Sequence, residues 1–425
     1  MGANRRPGDK GIIAEMRKIK IIAIPIFFIV LGASFDCCQI EHSGEQVAAI
    51  TASFAFNPAS PLAGQPVQFT DTSTGNPTSW EWAFGDGATS TTKNPSHTYA
   101  AAGSYTVTLT VSAGSNSNST SRTISVIPEA ASYYIDTNNS KASDSNPGTE
   151  ALPWKTITKA NQALIPGDTV YIKAGTYTSY IAPNNSGTAS NRITYRNYGS
   201  DAVTVQNAAY GIWCNGKSYI AVQGINFYNL DLFMYIENNA NHNIVASCTF
   251  VHGRNVGWGG SKIYGSSSHN WVHHCRFSDY GYYTTDDIGC LLDIGNEEDA
   301  ADISEYNLFE DCTMYQGGHH LLGVYGDYNV VRNNYFHNED WSSNPHGNRC
   351  VTMHGYPNNS GHNLIEGNKI AYSGYPPPTD AWGAVGMGVS SSYNIIRLNS
   401  FYYNNLSGLA LATSANYYQD ASHNK

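Results

Sequence analysis

Charge is scarce in this chain: Asp, Glu, Lys and Arg make up only 13% of its residues. That argues against a solvated helical or disordered protein, which would carry far more. Basic excess is absent too. A formal net charge of -10 disfavours a nucleic-acid partner, because phosphate binding needs a basic surface, and a mildly acidic surface by itself implies only solubility. Among the eight cysteines there is no C-x-x-C pair and no Cys/His spacing of a metal-binding motif. No apolar run is of comfortable membrane-spanning length; the most apolar, Ile21 to Leu31, falls well short of the roughly 20 residues a helix needs. What is abundant is Gly (40) and Tyr (30), the profile of a turn-rich, β-rich extracellular chain.

The beginning of the chain reads as an export leader, residues 1–37. Met16 opens Arg17-Lys18-Ile19-Lys20, the apolar run follows, and small Gly32, Ala33 and Ser34 come next. A basic segment, a short apolar core and small residues near the cut describe a secretory signal peptide, with Met16 as the true start. The expected location is therefore secreted or at the cell surface, by bacterial-type export. Cys37 and Cys38 raise membrane attachment through a lipid, although Ser34-Phe35-Asp36 is a poor match to a lipidation signal.

One phrase returns six times: Asn, two apolar residues, two variable ones, Cys or Asn, one variable residue, then Phe, Met or Ile. The copies begin at Asn243, Asn270, Asn307, Asn329, Asn363 and Asn394. Their starts lie about 22 to 37 residues apart, the period of stacked solenoid repeats. Each copy is strand-sized, and none could bury its apolar face alone. The implied fold is a parallel β-helix. Cys248, Cys275 and Cys312 hold one position of the phrase, and Asn334, Asn368 and Asn399 continue it. These are expected to stack inward, the thiols packing as small apolar groups; an oxidising compartment would also allow a disulfide between rungs. The closing Asp420 to Lys425 reads as a further copy cut short, so the solenoid is expected to be truncated at its C-terminus.

Residues 48–128 form a separate module. Trp80-Glu81-Trp82-Ala83-Phe84-Gly85-Asp86-Gly87 is followed by His97-Thr98-Tyr99 and by Gly103-Ser104-Tyr105-Thr106-Val107-Thr108-Leu109-Thr110-Val111. Val107, Leu109 and Val111 alternate as in a half-buried strand, and Gly85-Asp86-Gly87 is a hairpin signal. This stretch resembles a PKD domain, which implies an immunoglobulin-like β-sandwich that acts as a spacer or a weak polysaccharide binder. Trp80 and Trp82 could stack on sugars, but burial in the sandwich core is the stronger expectation. Pro128 to Ser132 is the linker.

From Tyr133 to Lys425 the chain is read as the solenoid. Ile157, Ala160, Ala163 and Leu164 share a helical face, Pro166-Gly167 ends the helix, and Val170 and Ile172 begin a strand. A short helix there would cap the open solenoid end. Together with Asn191-Arg192-Ile193-Thr194-Tyr195, this entry resembles pectate-lyase-like right-handed β-helix proteins, the polysaccharide lyase families that include chondroitinase B and alginate lyases. The fold class expected is all-β, a PKD sandwich followed by a right-handed parallel β-helix with an N-terminal capping helix.

Alternation within strands then separates inner from outer faces. Ahead of each phrase lies another strand. With Ile236, Ile263, Leu292, Ile294, Leu322, Val324, Val351 and Met353 inward, the outward set includes Tyr235, Lys262, Asp293, His319, Thr352 and His354. Lys262, Asp293, His319 and His354 are expected on one strip over adjacent coils, with Arg349 in a long loop beside it. His252, His269, His273, His274, His320 and His337 look like turn or packing residues. Trp258, Trp341, Trp382 and Tyr235 are candidate sugar platforms. Asp286, Asp287, Asp293 and Glu297 offer hard oxygen ligands suited to Ca²⁺, against the plain reading of a hydrated acidic loop.

The strip is read as a polysaccharide cleft. In a lyase, Lys262 or a histidine would remove the proton alpha to a uronate carboxylate, with Arg349 or Ca²⁺ stabilising the charge. In a hydrolase, Asp293 with Asp286 or Asp287 would form the carboxylate pair. The reading adopted is a secreted lyase, acting as a monomer on an acidic polysaccharide by β-elimination. A glycoside hydrolase, or a non-catalytic glycan-binding adhesin, stays open as an alternative.

Overall fold

The computed structural model describes residues 49–254, 259–280, 290–296, 302, 304–338, 349–353, 361–373, 385–404 and 407–411. The leader, with Cys37 and Cys38, lies outside these residues, as do most of the two long loops and the truncated further copy at Asp420 to Lys425.

The first module is a sandwich of antiparallel sheets. Phe54–Asn57, Pro66–Asp71 and Ser96–Thr98 form one sheet, and Thr89–Ser90, Ser79–Ala83, Gly103–Ala113 and Asn116–Val126 the other. The alternating Val107, Leu109 and Val111 close the core together with Phe69, Trp82 and Phe84. Trp82 is fully buried, whereas Trp80 is half-buried, donates to Asp71 Oδ2 at 2.9 Å and lies under Lys93. The motif residues bind one another: His97 Nε2 meets Asp86 Oδ2 at 2.7 Å, and Tyr99 donates to the Phe84 carbonyl at 3.0 Å. Gly85 carries φ +87° where a Cβ would strike the Thr106 carbonyl, so only glycine fits this turn.

The second module stacks parallel strands into three sheets. Its entry is closed by helix α1, Ile157–Ala163, whose Thr156 N-cap accepts from the Lys159 amide. Ile157 and Ala160 turn inward beneath Trp154 and Leu164. The core is a column of stacked aliphatic and aromatic rungs, among them Phe227, Phe250 and Phe277 at centroid spacings of 4.8 and 4.6 Å.

Each copy of the phrase turns out to be a strand, a corner and the start of the next strand, rather than a single strand. In the first copy Ile244–Ala246 belongs to one sheet and Thr249–Gly253 to the next. The fifth position makes the corner and has positive φ in every copy: Ser247, His274, Asp311, Asn333, Gly367 and Leu398. The Asn and Cys positions are buried ladders. Backbone amides of Asn243, Asn270, Asn307, Asn329 and Asn363 each donate to the side chain of the next Asn at 2.8 to 3.0 Å. The Cys248 and Cys275 amides face the next sulfur, and the Cys312 amide donates to Asn334 Oδ1 at 2.8 Å. The six described cysteines form no disulfide.

Candidate functional site

The third sheet carries the site. Its strands are β1 (Tyr210–Asn215), β2 (Leu232–Glu237), β3 (Ser261–Ile263), β4 (Leu292–Ile294), β5 (His320–Val324), β6 (Arg349–Met353), β7 (Val385–Val389) and β8 (Ser407–Leu411). Ile236, Ile263, Ile294, Val324, Met353 and Val389 align as one inward row. The row beside it reads Trp213, Tyr235, Lys262, Asp293, Gly323, Thr352 and Gly388.

Lys262 and Asp293 are therefore register neighbours, about 4.8 Å apart along the stack at the backbone. A Cβ placed on Gly259 would lie 3.2 Å from Lys262 Cε and 3.4 Å from Asp293 Oδ2, so both side chains converge over that glycine. Among the described residues Lys262 enters no ion pair; its Nζ sits 6.0 Å from the Tyr264 ring centroid.

The next coil departs from the expected strip. Gly323, not His319, stands opposite Asp293. The histidine that reaches the carboxylate is His320, whose Nε2 lies 2.7 Å from Asp293 Oδ1, with both groups buried. The cause is a slip in the alternation. Phe233 and Met234, Leu291 and Leu292, Leu321 and Leu322, and Cys350 and Val351 are consecutive pairs of buried residues where the chain enters these strands. Counting by twos through such a pair assigns the wrong face to whatever precedes it. His319 stands beside the pair, its Nδ1 3.1 Å from His320 Nδ1. Gly323 makes the arrangement possible: a Cβ there would come within 2.4 Å of Asp293 Oδ1 and 2.7 Å of His320 Nε2.

Arg349 pairs in register with His320 and donates to Thr352 Oγ1 at 3.3 Å. Tyr235 is on the row, and its hydroxyl donates weakly to the Gly259 carbonyl at 3.4 Å. Burial, and then the Asp293 carboxylate, push this phenol well above its ordinary range, so it remains protonated. His354, Trp258, Trp341, Trp382, Asp286, Asp287 and Glu297 lie outside the described residues.

Sequence reasoning named Tyr235 but missed the aromatic rings around it. Tyr210 stacks on Trp213 at 5.1 Å and meets Tyr235 edge-on at 5.7 Å; Tyr235 meets Tyr264 at 5.9 Å. Glu237 anchors two of these rings, accepting from Trp213 Nε1 at 2.6 Å and from the Tyr264 hydroxyl. The rings are partly exposed, and half-exposed aromatic faces are suited to sugar rings. The signal is in β1, which has the same alternation as β2 one coil earlier.

The geometry can be set beside known proteins. The PKD domain profile matches residues 51–127, a Pel9A-like right-handed β-helix profile matches 133–289, and a right-handed β-helix profile matches 294–424. The chain is a PKD domain followed by a right-handed β-helix, the first part of which is Pel9A-like. An uncharacterized Bacillus subtilis protein, YwoF, is 34% identical over 107 residues, 23% of this chain. The chain covers only 22% of that relative's length. Among solved structures, an alginate lyase from Paenibacillus is 16% identical, covering 61% of this chain and 97% of its own, with a TM-score of 0.46. Pectate lyase Pel9A is also 16% identical, covering 69% and 78%, with a TM-score of 0.44. No helix among the described residues is long and apolar enough to cross a membrane.

Proposed function

We propose that the protein is an exported polysaccharide lyase that cleaves a uronate-containing glycan by β-elimination on the outer face of the third sheet. The observation that carries this reading is the convergence of Lys262 and Asp293 over Gly259, at the end of the Tyr210, Trp213, Tyr235 and Tyr264 rings. The aromatic rings would hold successive sugars, and Lys262 would remove the proton alpha to the uronate carboxylate. Arg349 would offset the charge that develops on that carboxylate. Tyr235, kept protonated by burial and by Asp293, would pass its proton to the departing glycosidic oxygen.

Of the four candidate calcium ligands, only Asp293 is among the described residues. Its Oδ1 faces His320 Nε2 at 2.7 Å. Ca²⁺ takes six to eight oxygen ligands, so no step is assigned to it here. The similarity to an alginate lyase and to pectate lyase Pel9A agrees with the reading at the level of fold.

Incubation with alginate, pectate and chondroitin, with and without chelator, tests it. Ultraviolet absorbance of an unsaturated uronate is the expected product signal. New reducing ends without that absorbance would mean hydrolysis, and binding without cleavage would mean an adhesin; either overturns the lyase.

A further inference from the structure

Beside the proposed catalytic row, the thiol of Cys290 and the imidazoles of His319 and His320 meet across two neighbouring coils. Their ligand atoms all lie within 4.8 Å of one another. Cys290 Sγ is 3.5 Å from His320 Nδ1, and His320 Nδ1 is 3.1 Å from His319 Nδ1. The two coils are fixed by backbone pairing, with β4 hydrogen-bonded to β5 and the Leu291 amide donating to the His320 carbonyl at 3.3 Å. The three groups are thus brought together by the fold, from positions whose sequence spacing matches no metal motif.

We propose that Cys290, His319 and His320 bind a borderline-soft divalent cation, Zn²⁺, with Asp293 orienting His320 from behind. Two of the spacings are close to those of a tetrahedral centre. Bonds of about 2.3 Å to sulfur and about 2.0–2.1 Å to nitrogen place S and N about 3.6 Å apart and two nitrogens about 3.3 Å apart. Two of the three edges match within a few tenths of an ångström. The second observation is the carboxylate. His320 Nε2 is 2.7 Å from Asp293 Oδ1, both buried. With its proton on Nε2, where Asp293 accepts it, His320 presents an unprotonated Nδ1 toward the thiol and the second imidazole. A carboxylate behind a ligating imidazole is the recurrent support of protein zinc sites, fixing tautomer and ring orientation. Gly323 belongs to the same construction, since any side chain there would collide with both Asp293 and His320.

The donor set selects the ion. Thiolate and imidazole suit Zn²⁺ and are poor ligands for Ca²⁺ or Mg²⁺. Three protein ligands leave one position of a tetrahedron for water or another group. Binding would also tie the Cys290 coil to the His319–His320 coil next to Lys262. The site stands independently of the lyase reading, because nothing in it depends on a glycan.

The test uses the full chain, stripped with chelator and titrated with Co²⁺ and then Zn²⁺ in the absence of polysaccharide. One equivalent of Co²⁺ should bind with a sulfur-to-cobalt charge-transfer band and the intense d–d bands of four-coordination. Zn²⁺ should displace it, and excess Ca²⁺ should not. Cys290→Ser should abolish the charge-transfer band. His319→Gln, a change at a partly exposed side chain, should weaken binding at least about tenfold. Asp293→Asn should weaken it about 10- to 100-fold while leaving the thiolate band in place. Circular dichroism establishes that each variant retains the β-helix. The proposal is overturned if the wild type binds no Co²⁺, if the thiolate band survives in Cys290→Ser, or if His319→Gln binds as tightly as wild type.

Discussion

Asp293 and His320 form a buried pair whose existence depends on a missing methyl group. Gly323 stands opposite Asp293, and a Cβ would lie 2.4 Å from its Oδ1. Gly323→Ala should therefore push the carboxylate off the imidazole. Overpacking of this kind costs about 1–3 kcal/mol, and a displacement near 1 Å at a reacting group costs about 10²-fold in rate. The expected outcome is a stable, folded variant by circular dichroism with a lowered denaturation midpoint and roughly that loss of glycan cleavage. Unchanged activity would mean that the pair does not support the chemistry. At this scale the sequence was half legible. Lys262, Asp293 and Tyr235 could be assigned to one face because each follows the buried pair or stands clear of it, next to an inward Ile236, Ile263 or Ile294. His319 was preferred to His320 because the buried pair Leu321–Leu322 shifts the phase, and no local signal marks such a shift. Likewise nothing in the sequence joins Cys290 to His319 and His320, which are 29 and 30 positions away in the chain and one coil away in space.

The repeated phrase explains the element scale, and the structure adds corners to it. Its fifth residue, and the residue just before its Asn, both take positive φ in all six copies. The preceding residue is His242, His269, Tyr306, Tyr328, His362 or Tyr393, and with Tyr219 these rings form an outer stack at spacings of 4.7 to 5.3 Å. This aromatic step was written in the sequence, always one place before the Asn. The apolar pattern does not reveal it, because that pattern points inward and the stack lies outside. Left-handed backbone costs a non-glycine residue about 1–2 kcal/mol. Leu398 pays this at an exposed corner, where the neighbouring copy has Gly367. Leu398→Gly should raise stability by up to about 1 kcal/mol, offset by glycine's greater freedom when unfolded. Gly367→Ala should lower it, since its Cβ would meet Asn333 Oδ1 at 2.7 Å. Urea denaturation of both variants checks the pair of signs. The inner ladder is less forgiving. Asn307 Oδ1 accepts from the backbone and side chain of Asn270, and its Nδ2 donates to the Ser267 carbonyl. Asn307→Ala strands these buried groups, so a loss of about 3 kcal/mol is expected from the same measurement.

At the scale of the whole molecule, a stack of coils accumulates stability from neighbour to neighbour, so groups repeated along it act together. Burial, followed by His269 and Arg192, holds the His242 imidazole below its ordinary value of 6.5. Burial and then His274 do the same to His273, against Glu310 and Asp311. The unfolded chain then binds these protons more readily than the folded one. Their contribution is present above the ordinary histidine value and is lost as pH falls through it toward the lower folded values. The urea midpoint should fall between about pH 7.5 and about pH 5.5, and His242→Gln with His273→Gln should flatten that fall; an unaltered pH slope in the double variant would reject the assignment. The fold itself was legible in advance because a motif-rich sandwich and a six-fold phrase are both local signals. The chemistry was less so, since the row of Tyr235, Lys262, Asp293 and Gly323 is assembled from four coils. The measurement that bears most directly on this row is the ultraviolet absorbance of unsaturated product from alginate, pectate and chondroitin, followed for the wild type and for Lys262→Ala. We expect absorbance to rise with the wild type on at least one of these glycans and to fall about 10²–10⁴-fold in rate in the variant. No absorbance from the wild type on any of them, or an undiminished rate in Lys262→Ala, would contradict the account.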